Sequence, residues 1–199
     1  MSTFIKSESE RNKLKLLLKL FSPIISVIIL IATDANFYVY PVVFSLIVAL
    51  TNLEHLKHKT IIGVLLCVAF SYIAFFVGIL GANILDKIFV ALGIQKEFRL
   101  FVGLNLDVVY TISTFVLSPM AVFFLFKYVF KFPKTKITFW TQFFAIIILI
   151  MNSMVPEWAF GLFNVFNFWQ IIMILALQII MNQSALIFPG THKNNQVVL

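Results

Sequence analysis

The chain has 199 residues, of which 61% are hydrophobic and 12% charged, with a mean hydropathy of +1.03. A soluble domain lies nearer half apolar and a quarter charged, so a water-soluble globule is excluded, as are disordered and collagen-like chains. The single Cys67 excludes an internal disulfide, no Cys/His cluster has zinc-ligand spacing, and the formal charge of +7 finds its explanation in topology below.

In chain order, residues 1–13 form a basic N-terminal arm on the cytoplasmic side. Residues 14–188 form a membrane domain, and 189–199 a polar cytoplasmic tail. The expected fold is an all-α polytopic integral membrane protein with six transmembrane helices, at about 20 residues per span. Apolar runs lie at 16–33, 37–51, 61–85, 104–130, 137–155 and 158–182. The first two are short, and Asp34-Ala35-Asn36 joins them as a tight helical hairpin. Pro41 falls in the first turn of the second span, where its missing N–H costs little. Between the third and fourth spans, residues 86–101 set Ile88, Phe89, Ala91 and Leu92 against Lys87, Lys96, Glu97 and Arg99. That pattern predicts an interfacial amphipathic segment.

The basic residues fix the orientation. Lys6, Arg11, Lys13, Lys15, Lys19, Lys57, Lys59, Lys127, Lys131, Lys134, Lys136 and Lys193 fall on one side of six spans, and only Lys87, Lys96 and Arg99 on the other. By the positive-inside rule both termini are cytoplasmic, in the inner (cytoplasmic) membrane of a bacterial-type cell. The positive charge therefore contacts lipid headgroups, and no nucleic acid is expected as a partner. No cleavable secretory signal is recognisable, so the first helix is expected to remain as an anchor.

Motifs for enzymatic phosphate, serine-nucleophile or zinc-protease chemistry are missing, and neither an enzyme, a cofactor nor a metal site is expected. His55 and His58 are read as loop histidines and Cys67 as a packing residue. The informative residues are polar ones inside spans. Asp107, Thr111, Thr114 and Ser118 fall at i, i+4, i+7 and i+11, one face of an α-helix, with Pro119 predicted to kink it. Asn164, Asn167, Gln178 and Asn182 share a face of the last span, with Gln170 displaced to one side. Such groups are expensive in hydrocarbon and face a partner helix or a wet cavity; they either line a transport path or bond between helices. Trp140, Trp158, Tyr38 and Tyr40 are expected at the membrane interfaces.

The order of these features resembles the fusaric acid resistance (FUSC-like), or aromatic acid exporter, membrane module. The resemblance is carried by Tyr40-Pro41-Val42-Val43 opening the second span and by Lys57-His58-Lys59 running into Ile61-Ile62-Gly63. The closing phrase Ala185-Leu186-Ile187-Phe188-Pro189 belongs to it as well. It implies one six-helix half of a proton-driven exporter of small aromatic carboxylates and related compounds, completed by a second copy or another membrane subunit. In that scheme Asp107 is the titratable group, and the hydroxyl and amide residues offer neutral hydrogen bonds to a small-molecule substrate. No cation lies deep in a span to meet an organic anion. The competing class is a membrane-embedded accessory, immunity or pore-forming interaction protein, in which the same amides hold helices together.

Overall fold

The structure, a computed structural model, describes residues 2–34, 36–101, 104–154 and 165–187, with side chains over 14–34, 36–97, 107–154 and 165–186. Among these residues the chain is helical apart from one small hairpin. Helix α1 is Ser2–Ala32 and α2 is Tyr40–Thr51, entered through a 3-10 turn at Phe37–Val39; α3 is Thr60–Ala91. Strands β1 (Glu97–Phe101) and β2 (Leu104–Asp107) follow, then α4 (Val108–Val129), α5 (Lys136–Ser153) and α6 (Val165–Ile187). Five helices are long and apolar enough to cross a membrane, and the sixth, Phe37–Thr51, is shorter. This is a helical membrane protein.

The helices form a closed ring in which each packs on its sequence neighbour and α1 returns to α6; α6 also touches α2. Each buries a stripe dictated by the 3.6-residue period. On α1 the stripe is Ser22, Pro23, Ser26, Val27 and Leu30, whereas Phe21, Ile24, Ile25 and Ile28 face outward. On α2 it is Pro41, Phe44, Ser45, Val48 and Ala49. Helix α3 buries only small side chains, Gly63, Cys67, Ser71, Ala74 and Gly78. Small residues let backbones approach, the usual means of packing where lipid is as apolar as the helix surface. At Gly78 the approach is so close that a Cβ would lie 3.3 Å from Ser118 Cβ, and Ser113 Oγ donates to the Gly78 carbonyl at 3.0 Å. Helix α6 is the most enclosed of the six, burying Met173, Ile174, Leu177 and Ile180 completely.

One end of the ring is basic. The α2–α3 and α4–α5 connections pair there, with Lys57 N–H donating to Val129 O and Lys131 N–H to His55 O, both at 2.8 Å. Lys57 Nζ also donates to the Lys127 carbonyl, and a His58 ring nitrogen lies 3.1 Å from Tyr128 O.

One expectation is corrected. Residues 86–101, expected as one interfacial amphipathic segment, are divided between the last turns of α3 and strand β1. Helix α3 continues unbroken through Ala91, because no Gly or Pro interrupts residues 82–92 and Ile84, Leu85, Ile88 and Phe89 extend its apolar run. It stops at Gly93, whose φ of +65° lets Gly93 N–H reach Val90 O and Ile94 N–H reach Phe89 O; this double closure is the Schellman arrangement. The chain then turns into the antiparallel β1–β2 pair, Glu97 opposite Asp107, with a bulge between Arg99 and Phe101. Lys96 forms an ion pair with Asp86 beneath it. Helix α1 begins at Ser2, so the expected N-terminal arm is helical from residue 2 and runs directly into the Leu14–Ala32 span. At 32 residues α3 is about 48 Å long, well beyond the ~30 Å hydrocarbon core.

Candidate functional site

In the half of the ring away from the basic end, α2, α3, α4 and α6 enclose a cavity of about 290 Å³. Its walls are Phe37, Tyr40, Pro41 and Phe44 from the second helical segment, and Ser71, Phe75, Gly78, Ile79, Ala82 and Asn83 from α3. Tyr110, Thr114, Ser118 and Val122 of α4 and Phe166, Trp169 and Gln170 of α6 complete it. None of these side chains is charged. Phe37 sits between Phe75 and Phe166, with ring centroids 4.6 and 4.7 Å away, and Phe44 lies 5.6 Å from Trp169. The Trp169 indole N–H donates to Thr114 O at 3.1 Å. Ser71 is 4% exposed, and its Oγ is buried without a hydrogen-bond partner.

The α4 wall is irregular. Thr111–Leu117 is a π-helix, joined to the α-helical turn Val108–Tyr110 on one side and to Ser118–Val129 on the other. The Ser118 N–H reaches back five residues to Ser113 O. Pro119, with no N–H to give, cannot supply the next bond of an α-ladder, which favours the wider turn immediately before it. Wide turns of this kind concentrate at functional sites.

Below the cavity, Val48, Phe126, Ile174 and Leu177 form a dry layer. Beyond it, about 18 Å from Gln170 along α6 at 12 residues' rise, lies a polar layer centred on Asn182. Lys19 Nζ bonds to Asn182 Oδ1 at 2.8 Å and pairs with Glu54. Asn182 Nδ2 donates to Asn52 Oδ1 at 3.2 Å, and Gln178 Nε2 to Thr51 Oγ1 at 2.7 Å and Ser22 Oγ at 3.2 Å. The helix is locally non-helical at Asn182 (φ −111°, ψ 16°), which turns the amide into this network. Burial pushes the Glu54 carboxyl up, but the hydrogen bond and charge of Lys19 outweigh it and hold the group below its usual value of 4.5. Burial first, and Lys19 second, push His55 below 6.5, against the opposing pull of Glu54 and Asn182.

Two further amides also bridge helices. Gln170 accepts from Ser26 Oγ at 2.6 Å and donates to Tyr40 O at 2.8 Å. Gln183 accepts from Thr135 Oγ1 at 2.6 Å and donates to Thr138 Oγ1 at 3.1 Å.

The residues singled out from the sequence fall in different places. Thr114 and Ser118 line the cavity. Thr111 is buried towards α5, donating to Ser153 Oγ at 3.2 Å. Asp107 is exposed and caps α4 by accepting from Tyr110 N–H at 2.9 Å. The single face drawn for an α-helix is thus divided, because the π-helix changes the angle between successive residues. Asn167 accepts from Tyr40 OH at 3.2 Å; Gln178 and Asn182 belong to the polar layer; Asn164 lies outside the described residues. Tyr40, expected at a membrane interface, lines the cavity. Ser71 and Trp169 were missed. Ser71 carries a legible signal, the only hydroxyl in the small-residue stripe of α3. Comparison of the chain with known protein families, with curated proteins and with solved structures finds no match.

Proposed function

We propose that the chain is a component of a membrane transport system that binds small, largely apolar aromatic compounds in the α2–α3–α4–α6 cavity and exports them. The observation that carries this is the cavity itself: ring-walled, uncharged, bounded by a π-distorted helix and separated from the basic end by a dry layer and an ion-paired polar layer. A cavity in one half of the bundle, separated from the other end by packed layers, is compatible with one state of an alternating-access cycle. The basic end is cytoplasmic by the distribution of lysines, and α1–α2 is a short hairpin that completes six spans. Its 15 residues from Phe37 to Thr51 reach about 24 Å, enough for the outer headgroups where the bilayer thins around it. Two copies associate, as the likeness to half of a two-module exporter implies.

Topology is testable with single cysteines in a Cys67→Ala background. Asn36→Cys should react with a membrane-impermeant maleimide in intact cells, and Lys134→Cys only after permeabilisation. Protection of both would leave α1–α2 as a re-entrant hairpin and reduce the spans.

Function is testable in proteoliposomes loaded with a fluorescent aromatic compound. Efflux should depend on the protein and fall at least fivefold in Ala82→Phe, which fills the cavity, while cross-linking of the same sample reports dimers. The second reading, an interaction protein without a substrate, is supported by the interhelical pairing of Gln170, Gln178, Asn182 and Gln183. It predicts no protein-dependent flux and no effect of Ala82→Phe.

A further inference from the structure

Resting on the assignment of the cavity as the binding site, we infer that its ligand is an uncharged aromatic alcohol of about two fused rings. Size comes first. A cavity of roughly 150 Å³ lined by apolar side chains takes one benzene, so about 290 Å³ takes close to two rings. The aromatic wall around Phe37, Phe44 and Trp169 offers edges and faces to such rings.

Charge comes second. The lining holds no lysine, arginine or histidine, and the nearest described cation along α6 contacts, Lys19, is committed to Glu54 and Asn182 beyond the dry layer. A carboxylate in the cavity would be desolvated and unpaired, which is prohibitive compared with burying a neutral group. The site therefore excludes the ionised acids expected from the family likeness.

The third feature is Ser71, which lines the wall while its Oγ is turned out of the cavity's reach and has no partner; a turn about χ1 presents the hydroxyl to a ligand. A buried hydroxyl without a partner is costly, and one hydroxyl on the ligand relieves it, as donor or acceptor. Ser118 of α4, packed against Gly78 of α3, adds a second hydroxyl-bearing residue to the same uncharged lining. The selectivity follows: naphthalene fits but leaves Ser71 unsatisfied, 1-naphthol fits and satisfies it, and 1-naphthoate is rejected by charge.

The experiment uses the full chain in lipid nanodiscs with Trp140→Phe and Trp158→Phe, leaving Trp169 as the sole indole, and empty nanodiscs as the partition blank. Quenching of Trp169 by 1-naphthol should saturate, with naphthalene about fivefold to tenfold weaker, the range of one neutral hydrogen bond. At pH 8, 1-naphthoate should not compete. Ser71→Ala should bring 1-naphthol down to the naphthalene level without changing naphthalene, which also controls for folding. Ala82→Phe should abolish both. Equal binding of naphthoate and naphthol overturns the inference, as does an unchanged naphthol-to-naphthalene ratio in Ser71→Ala. Absence of saturable binding, with lipid acyl chain retained in the cavity, overturns it too. Flux of naphthoate alone would leave the transport proposal standing and this ligand class overturned. Saturable naphthol binding without flux would do the reverse.

Discussion

Glu54→Gln should destabilise the protein by about 2–3 kcal/mol, and Lys19→Met by only about 1 kcal/mol, when unfolding is followed in mixed micelles. The asymmetry comes from burial. The Lys19 side chain is 12% exposed and that of Glu54 58% exposed. Removing the carboxylate strands an enclosed ammonium with the Asn182 amide oxygen, whereas removing the ammonium lets the carboxylate turn into water. A fully buried pair broken on one side costs about 3–5 kcal/mol and an exposed one under about 1 kcal/mol; each variant is placed by the group left behind. Equal losses, or a larger loss in Lys19→Met, would mean that the Lys19–Asn182 bond between α1 and α6, rather than the ion pair between α1 and the α2–α3 connection, carries the stability of this layer.

The same layer sets an acid limit. His55 and Glu54 both have folded values below their ordinary ones, so the unfolded chain takes up protons first as pH falls. Stability from His55 is complete above about pH 6.5 and is lost as pH drops from there through its folded value. Stability from Glu54 is complete above about pH 4.5 and is lost as pH drops through its own lower value. Thermal midpoints measured from pH 8 to 4 should therefore be flat, then fall in two stages. His55→Asn should remove the first stage and Glu54→Gln the second.

Deleting Ile112 should abolish ligand-dependent quenching and efflux while leaving a folded, monodisperse protein. Thr111–Leu117 holds a wide turn, and removing one residue from it allows the ordinary i to i+4 ladder to close. The segment Val108–Tyr110 then rotates by about 100° relative to Ser118–Val129. Tyr110 leaves the cavity wall and Thr111 loses Ser153, while the buried contacts of Val122, Phe123 and Phe126 on α4 stay in place. Hydrogen exchange along α4 supplies the check: the variant should protect residues 111–117 better than the parent. Unaltered binding in a variant so protected would show that the wide turn has no part in shaping the site.

Five long apolar helices were legible because about 18 or more consecutive apolar residues admit few other solutions, a criterion that the 15-residue helix Phe37–Thr51 does not meet. Three things were not legible. The π-helix depends on Pro119 and on the fit of Ser113 against Gly78, a contact between helices that no local period encodes. The end of α3 lies beyond the expected end of the third span at Leu85 because its last turns, carrying Asp86 and Lys87 among isoleucines, imitate an interfacial segment. Lys19 was counted among headgroup contacts, since nothing in sequence announces that Glu54, 35 residues away, meets it. The amides of α6 were recognised as needing partners, but a helical face cannot say whether the partner is another helix or a substrate. For Gln178 and Asn182 it is a helix. The cavity is the reverse case: its rings come from four helices, and only their assembly shows that Tyr40 and Trp169 belong together.

Helix α3 joins the cavity to the far side of the protein as a single rod. Ser71, Phe75 and Gly78 form wall at its middle, and Gly93 closes it rigidly below the β1–β2 hairpin. A tilt of about 2° about the Thr60 end moves Gly78, about 27 Å along the rod, by about 1 Å and carries Ala91 through about 1.7 Å. An accommodation at Gly78 thus reaches the hairpin enlarged by a little under twofold. The hairpin end of α3 becomes a displacement gauge for events among the rings, readable by spin labels at Gln95 without touching the site.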